Sequence, residues 1–531
     1  MLRYLSRAAF GSFLLASSAL AVATSAQAQT VIKQAVEADL ASLDPVWTSA
    51  FPTLGFARLV YDNLFSQDLN GVPQPQMVDR WDTSADGLTW TFVLRPGLKF
   101  HDGTPVTSKD AIQSIKRWGA RVGAGQVLLA VTAEIVEIDG RTFAIRLKEK
   151  FAPVVGMLGS TTDTYVMREK DALTDPGTQV TTSIGSGPFK FEREKWVPGS
   201  RWSYSRNSDY VPRSEKADGY AGGKVVRVGG VDVTYISDTS IAVQALIRSE
   251  VDFYEYVPSH LLPVLEKERD VVTRVINRGG FNPLLRLNHL VAPTNNQKFR
   301  QAILYAANQR DTLAAIVGNP SLERPCWAVF SCGYPLETEA GTEGFRQPGP
   351  GNIEKAKQLL KESGYGGEPI VLLNPVENQS LSAAITLTAQ QLKQIGVNVD
   401  LQSMDFGTLV SRRTLKDDPK VNRAGWHVFP TQGPTQDRTD PLTASILPTP
   451  CDGKNWFGWP CDAQLEAMRV KFASLSDASE RKQHAAEFQK RFYETVPYVP
   501  LGAFVQKAAW RNSVDGILEG FKVVWWNATK K

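Results

Sequence analysis

Two alternations of apolar and polar residues organise the chain. In the first half the period is two. Phe143, Ile145 and Leu147 alternate with polar neighbours, and Asp139-Gly140 separates them from Thr132–Ile138. An Asx-Gly pair tolerates the positive φ of a tight turn, so these segments predict a hairpin. Asn70-Gly71, Asp86-Gly87 and Asp102-Gly103 mark further turns, and the region is expected to be an antiparallel α+β unit. In the second half the period lengthens to that of a helix. Asn352 precedes a stripe at Ile353, Ala356, Leu359 and Leu360 that Gly364 ends. Ser380 is expected to cap a helix carrying Leu381, Ala384, Ile385, Leu392 and Ile395 on one face, with Gly396 as its stop. Val397, Val399 and Leu401 then alternate as a strand. Phe299, Ala302, Ile303 and Ala306 mark another helix, and Asp477 starts a long one through Ala485, Phe488 and Phe492. Helix, glycine, strand is the grammar of an α/β layer.

A different pattern opens the chain. Arg3 and Arg7 precede an uninterrupted apolar or small stretch from Phe10 to Val22, and Ala26-Gln27-Ala28 places small residues where a signal peptidase cuts. Residues 1–28 are therefore expected to be a secretory signal peptide, cleaved after Ala28. The stretch is about 13 residues, against about 20 needed to span a bilayer. Export agrees with four cysteines in two local pairs, Cys326 with Cys332 and Cys451 with Cys461. Four cysteines allow three connectivities. The local one is expected, closing loops of about 7 and 11 residues at roughly 2–3 kcal/mol each in the chain-entropy picture. Buried free thiols are the alternative; neither spacing is that of a zinc knuckle.

The 531 residues are 42% apolar and 21% charged, ordinary for a folded chain of two or three domains. The net charge of +4 falls to +2 without Arg3 and Arg7, and no Lys/Arg run offers a track for phosphates, so nucleic acid is not an expected partner. Catalytic signatures are missing. Gly185-Ser186-Gly187 only resembles a nucleophile elbow and runs into Pro188. Five histidines, at 101, 260, 289, 427 and 484, include no pair at helical ligand spacing. Gly223-Lys224 lacks the first glycine and the hydroxyl of a phosphate loop. No enzyme activity, cofactor or metal site is expected. Trp426, Trp456, Trp459, Trp525 and Trp526 cluster near loops, where an indole suits either a core or a pocket wall.

The stretch from Tyr61 to Trp118, YDNLFSQDLNGVPQPQMVDRWDTSADGLTWTFVLRPGLKFHDGTPVTSKDAIQSIKRW, resembles the signature of extracytoplasmic solute-binding proteins of family 5. These are the dipeptide-, oligopeptide- and nickel-binding subunits of ABC importers. Ser42-Leu43-Asp44-Pro45, the IGSGPF segment at 184–189, Arg300-Gln301-Ala302 with Tyr305-Ala306, the helix at 353–365 and LKQIGVNV at 392–399 resemble further family segments. The resemblance implies an α/β, two-lobed periplasmic binding protein fold of class II type, with an extra α+β domain inserted in the first lobe. By analogy residues 29–61, 186–278 and 500–531 form the first lobe, 62–185 the insert and 279–499 the second lobe. It implies a periplasmic monomer that captures a small peptide-like or anionic solute between its lobes and delivers it to an inner-membrane ABC permease with its ATPase. A secreted enzyme or periplasmic chaperone on the same fold is the alternative, as is a binder of a metal chelate such as nickel.

The resemblance also points to a pocket. Arg423-Ala424-Gly425-Trp426 resembles a segment after which peptide-binding relatives place an aspartate for the peptide's ammonium; here Phe429 stands at that position. An unpaired buried charge is costly, so a modified or amine-free solute is expected rather than a plain dipeptide. Arg423 is expected to hold a carboxylate and Trp426 to stack on the solute, with His427 a candidate contact for a metal chelate. Gly425, Phe429, Thr431, Gln432, Ser49, Ser186 and Gly187 are expected to line the pocket by position.

Overall fold

The computed structural model describes residues 30–160, 164–346, 352–475 and 477–531. The expected signal peptide lies outside them.

Three sheets organise the chain, and it is mixed α/β with the expected two-lobed architecture. The first sheet has seven strands in the spatial order Val271–Arg274, Lys507–Arg511, Phe253–Val257, Val31–Val36, Gly230–Tyr235, Arg201–Arg206 and Phe189–Phe191. Val31–Val36 runs parallel to both its neighbours. The second sheet is built on Phe281–Leu287, with Val428–Pro434, Ile370–Pro375 and Val399–Met404 to one side. Ile370–Pro375 is parallel to Val399–Met404 and to Val428–Pro434, the helix Gln379–Gln394 forming the crossover between the first two. The third sheet has four antiparallel strands, in the order Val78–Thr83, Thr89–Leu94, Thr142–Leu147 and Thr132–Asp139. Its outer hairpin is the one read from the period-two pattern, with Ile135 opposite Ile145.

Capping follows the side chains. Asn352 accepts from the Lys355 N–H at 3.1 Å, and Asp477 accepts from Ser479 and Glu480. The helix expected from Ser380 starts two residues earlier. Asn378 accepts from the Leu381 N–H at 3.1 Å, taking the role assigned to the serine.

The chain passes from the first sheet to the second between Arg274 and Phe281, and returns between Phe504 and Lys507. Pro500 and Ala503–Phe504, which the family resemblance puts at the start of the first lobe's last segment, pair in the second sheet. Two short crossings side by side, with Phe281 opposite Phe504, have the form of a hinge.

The insert is fastened to the first lobe by a buried ion pair. Arg117, in the helix Ser108–Arg121, donates to Asp44 Oδ2 at 2.7 Å, both side chains being almost wholly inaccessible. Asp44 also accepts from the N–H groups of Val46, Trp47 and Val180, and Arg117 donates to the carbonyls of Thr174, Asp175 and Thr178. Each charge is thus hydrogen-bonded, as burial requires. Tyr165, Met167 and Val180 pack in the first lobe's core with Phe56, Phe189 and Trp525. On its other side the insert's apolar core is continuous with the second lobe's, and a Cβ at Gly123 would stand 3.9 Å from the Ser445 Cα.

Candidate functional site

The two lobes meet at the carboxyl ends of their parallel strands. Helix Thr239–Ile247 follows strand Gly230–Tyr235 in the first lobe; helix Gln379–Gln394 follows Ile370–Pro375 in the second. Their first residues touch, Gln379 Nε2 donating to Thr239 Oγ1 at 3.4 Å. Nearer the crossings, the Phe281 ring lies 5.7 Å from Phe51 and 5.4 Å from Tyr256. The carboxyl ends of strands are where open α/β sheets take ligands, since the connections there diverge and leave a crevice.

The first-lobe wall carries charge. Glu37 directly follows strand Val31–Val36, beside the ends of Gly230–Tyr235 and Phe253–Val257. It is exposed, yet burial by the surrounding protein raises its carboxyl from 4.5 to about 7, against the Tyr254 hydrogen bond and the Lys522 charge, which lower it. Tyr254 Oη donates to Glu37 Oε1 at 2.6 Å. The neighbouring Glu255 accepts from the Lys522 ammonium and from the Val523 N–H at 2.7 Å. The Lys522 ammonium also lies 5.1 Å from the centre of the Tyr256 ring.

Within the second lobe one cation stands without a counter-charge. Arg413 ends the helix Phe406–Arg412, its guanidinium 4.7 Å from the centre of the Phe457 ring and 5.5 Å from that of Trp456. Among the described residues its side chain makes no hydrogen bond or ion pair, and Nε is buried without a partner. Desolvation pulls its pKa down to about 10. Behind Trp456 a second guanidinium, Arg286, is fully buried and donates to the carbonyls of Phe457, Ile446 and Trp456 at 2.6, 3.0 and 3.3 Å. Burial lowers it to about 9. These bonds fix the loop that Cys451–Cys461 closes, which carries Trp456 and Phe457. Both local disulfides form as expected, Cys326–Cys332 being the other.

The residues read from sequence are dispersed. Arg423 is exposed on the 417–425 turn, and its carbonyl accepts from Arg412 at 3.4 Å. Gly425 packs inside that turn, where a Cβ would meet the Asp417 carbonyl oxygen at 2.6 Å. Trp426 is fully buried, donates Nε1–H to the Leu415 carbonyl at 3.1 Å, and packs on Phe429 and Trp459. The indole expected to stack on the solute is therefore sealed in the second lobe's core. His427 is also core: Nδ1 accepts from the Val371 N–H at 2.9 Å, so the ring is neutral and Nε2–H donates to the Ala292 carbonyl at 3.1 Å. Burial holds its pKa low, and neither nitrogen is left for a metal chelate.

Phe429, Thr431 and Gln432 share strand Val428–Pro434. Phe429 is buried 5.8 Å from Trp456, and Gln432 Oε1 accepts from Ser380 at 3.2 Å. Ser49 is exposed before helix Phe51–Val60, and Ser186 is buried with its hydroxyl unpartnered. Gly185 and Gly187 press against the end of that helix; Cβ atoms there would meet the carbonyl oxygens of Val60 at 2.0 Å and Leu59 at 2.6 Å. His101 brackets the segment, accepting at Nδ1 from the Gly185 N–H at 3.3 Å and bonding the Gly187 carbonyl through Nε2 at 3.1 Å. The segment's glycines thus serve close backbone approach. Glu37 and Arg413 were missed in the sequence: a charged residue just after a strand or helix reads as a solvated end. Among the described residues no cluster of three His, Cys, Asp or Glu could hold a metal, and no helix is long and apolar enough to cross a membrane.

Comparison with known proteins agrees with this architecture. The chain is 40% identical over 524 residues, 98% of its length and 97% of the relative's, to a protein of Sinorhizobium fredii named probable peptide ABC transporter periplasmic-binding protein y4tO. It is 25% identical over 482 residues to the glutathione-binding protein GsiB of Pectobacterium atrosepticum, covering 88% of this chain and 87% of the other. A dipeptide-binding protein from Pseudoalteromonas sp. SM9913, solved with Met-Leu, superposes with a TM-score of 0.78 at 19% identity, over 94% of this chain and all of that one. The binding protein AgaA from A. tumefacien R10, solved with agropinic acid, gives 0.78 at 20% identity, over 94% and 99% of the two chains. Residues 72–437 match the family described as bacterial extracellular solute-binding proteins, family 5 Middle, and the chain belongs to that family.

Proposed function

We propose that this protein is the solute-binding subunit of an ABC importer. It is exported by removal of residues 1–28, captures a peptide-like solute between its lobes, and presents the closed form to an inner-membrane permease with its ATPase. The lobes are the ranges given by the family resemblance, with the last return to the first lobe set at Lys507. The observation that carries the reading is Arg413: a guanidinium without a counter-charge, set against the rings of Trp456 and Phe457. A planar fork of donors over an aromatic face suits a carboxylate on an apolar body. The anionic contact first expected at Arg423 is thereby assigned to Arg413, and the stacking expected at Trp426 to Trp456.

The clamp follows from linkage. A solute that touches both lobes binds the closed form better and draws the hinge towards it. Moving that equilibrium from 1:99 to 99:1 takes about 5.5 kcal/mol of differential binding, within reach of a few charge-assisted hydrogen bonds at about 1.5–3 kcal/mol each. Native mass spectrometry of the protein from a periplasmic extract tests this. The wild type and Arg423→Ala are expected to carry one small molecule that denaturation releases, and Arg413→Ala to lose it by about 10–150-fold in affinity. Retention by Arg413→Ala with loss in Arg423→Ala would restore the arrangement read from the sequence.

A further inference from the structure

Phe429 deprives the second lobe of the acid that a solute's ammonium would need, but the first lobe supplies one. Glu37 stands at the carboxyl end of the central parallel strand, where the lobes meet. One of its oxygens takes the Tyr254 hydroxyl; Oε2 has no partner among the described residues. An ionised carboxylate has about four lone-pair positions, so most of its capacity is unused. Lys522 is the cation whose charge reaches Glu37, and it is already committed to Glu255. The other charged groups nearby do not offset it: Asp238 caps helix Thr239–Ile247, while Asp39 and, from the second lobe, Glu377 act on Tyr235. The first-lobe wall thus carries an excess of negative charge. The second lobe offers the reverse, in the Arg413 guanidinium, whose Nε has no partner.

We infer that Glu37 receives a cationic group of the solute, so that the solute is a zwitterion held by its positive end on the first lobe and by its anionic end on Arg413 of the second. This rests on the solute-binding reading above and replaces the amine-free solute expected from Phe429. It also supplies a reason for closure. With one charged end on each lobe, neither lobe alone makes both contacts, and the differential affinity belongs to the closed state.

Three pools of the same dipeptide mixture test it by isothermal titration: unmodified, N-acetylated and C-amidated. Wild type is expected to bind the unmodified pool at least 10-fold tighter than either blocked pool. Glu37→Gln should weaken the unmodified pool by about 10–150-fold and leave the acetylated pool unchanged, which a merely structural role would not do. Arg413→Ala should abolish the preference over the amidated pool. Equal binding of acetylated and unmodified pools by wild type overturns the inference but leaves the solute-binding reading standing. Binding of no pool overturns both. The wild-type comparison decides the matter even if a variant fails to fold.

Discussion

Replacing Asp44 by asparagine asks how much of the domain arrangement depends on one buried charge. In the wild type the Asp44 carboxylate receives the Arg117 guanidinium at 2.7 Å and the Val180 N–H at 2.9 Å on Oδ2. Oδ1 receives the N–H groups of Val46 and Trp47 at 2.9 and 3.2 Å. An asparagine has one oxygen, so half of these donors must face an NH2 group. If the oxygen keeps Val46 and Trp47, the amide hydrogens point at Arg117 and at the Val180 N–H. A buried guanidinium is then left without its counter-charge, at a cost of about 3–5 kcal/mol. A chain of about 500 residues has an unfolding entropy near 1 kcal/mol per kelvin, so melting as one unit would fall by about 3–5 °C. If the insert opens by itself, the smaller unit has about a quarter of that entropy, and its transition drops by about 12–20 °C. Scanning calorimetry distinguishes the two. The double variant Asp44→Asn with Arg117→Met removes the stranded charge and should recover most of the loss, because replacing both partners is far less costly than removing one. A single-variant loss under about 1 kcal/mol, or a double variant no better than the single, would show that the pair does not fasten the insert.

Two further outcomes are expected. Gly185→Ala places a Cβ 2.0 Å from the Val60 carbonyl oxygen, backbone against backbone, and should lower soluble yield and melting temperature, whereas Gly199→Ser, in open space but at φ 75°, should cost far less; equal melting of the two variants would count against close approach as the reason for the IGSGPF glycines. Glu37 gives a pH dependence. Its folded pKa, about 7, lies above the unfolded value, so its contribution to folding is present below about 4.5 and lost as pH rises through about 7. Binding a cation beside it has the opposite sign: affinity for unmodified dipeptides should rise from about pH 5 to about 7, below the titration of the dipeptide's own ammonium, with a proton released on binding. Titrations in buffers of different ionisation enthalpy measure that proton, and a flat profile would contradict the role given to Glu37, since burial holds the neighbouring Tyr254 hydroxyl well above this range.

Local grammar was legible in the sequence, and facing was not. The hairpin about Asp139-Gly140 and the caps Asn352 and Asp477 rest on interactions within a few residues, so their pattern sufficed. Ser380 lost its cap because Asn378, two positions earlier, reaches the same turn with a better acceptor. The family segments identified the fold because their residues answer to packing: Asp44 with Arg117, and Gly185 with Val60. The proposed pocket departs from the expected one for a related reason. Trp426 and His427 directly precede strand Val428–Pro434, and their exposure is set by other segments of the fold: Leu415 takes the indole N–H, while Val371 and Ala292 take the imidazole. Glu37 and Arg413 had no local signal. Each is an ordinary end-of-element charge until the fold surrounds it and leaves it without a counter-ion.

The central claim is that a solute held by both lobes closes them. Small-angle X-ray scattering tests it directly, comparing protein stripped by unfolding and refolding with the same protein reloaded with unmodified dipeptides. The account predicts a smaller radius of gyration on loading, and no such change in the double variant Glu37→Gln with Arg413→Ala. An identical radius for stripped and saturated wild type would contradict it.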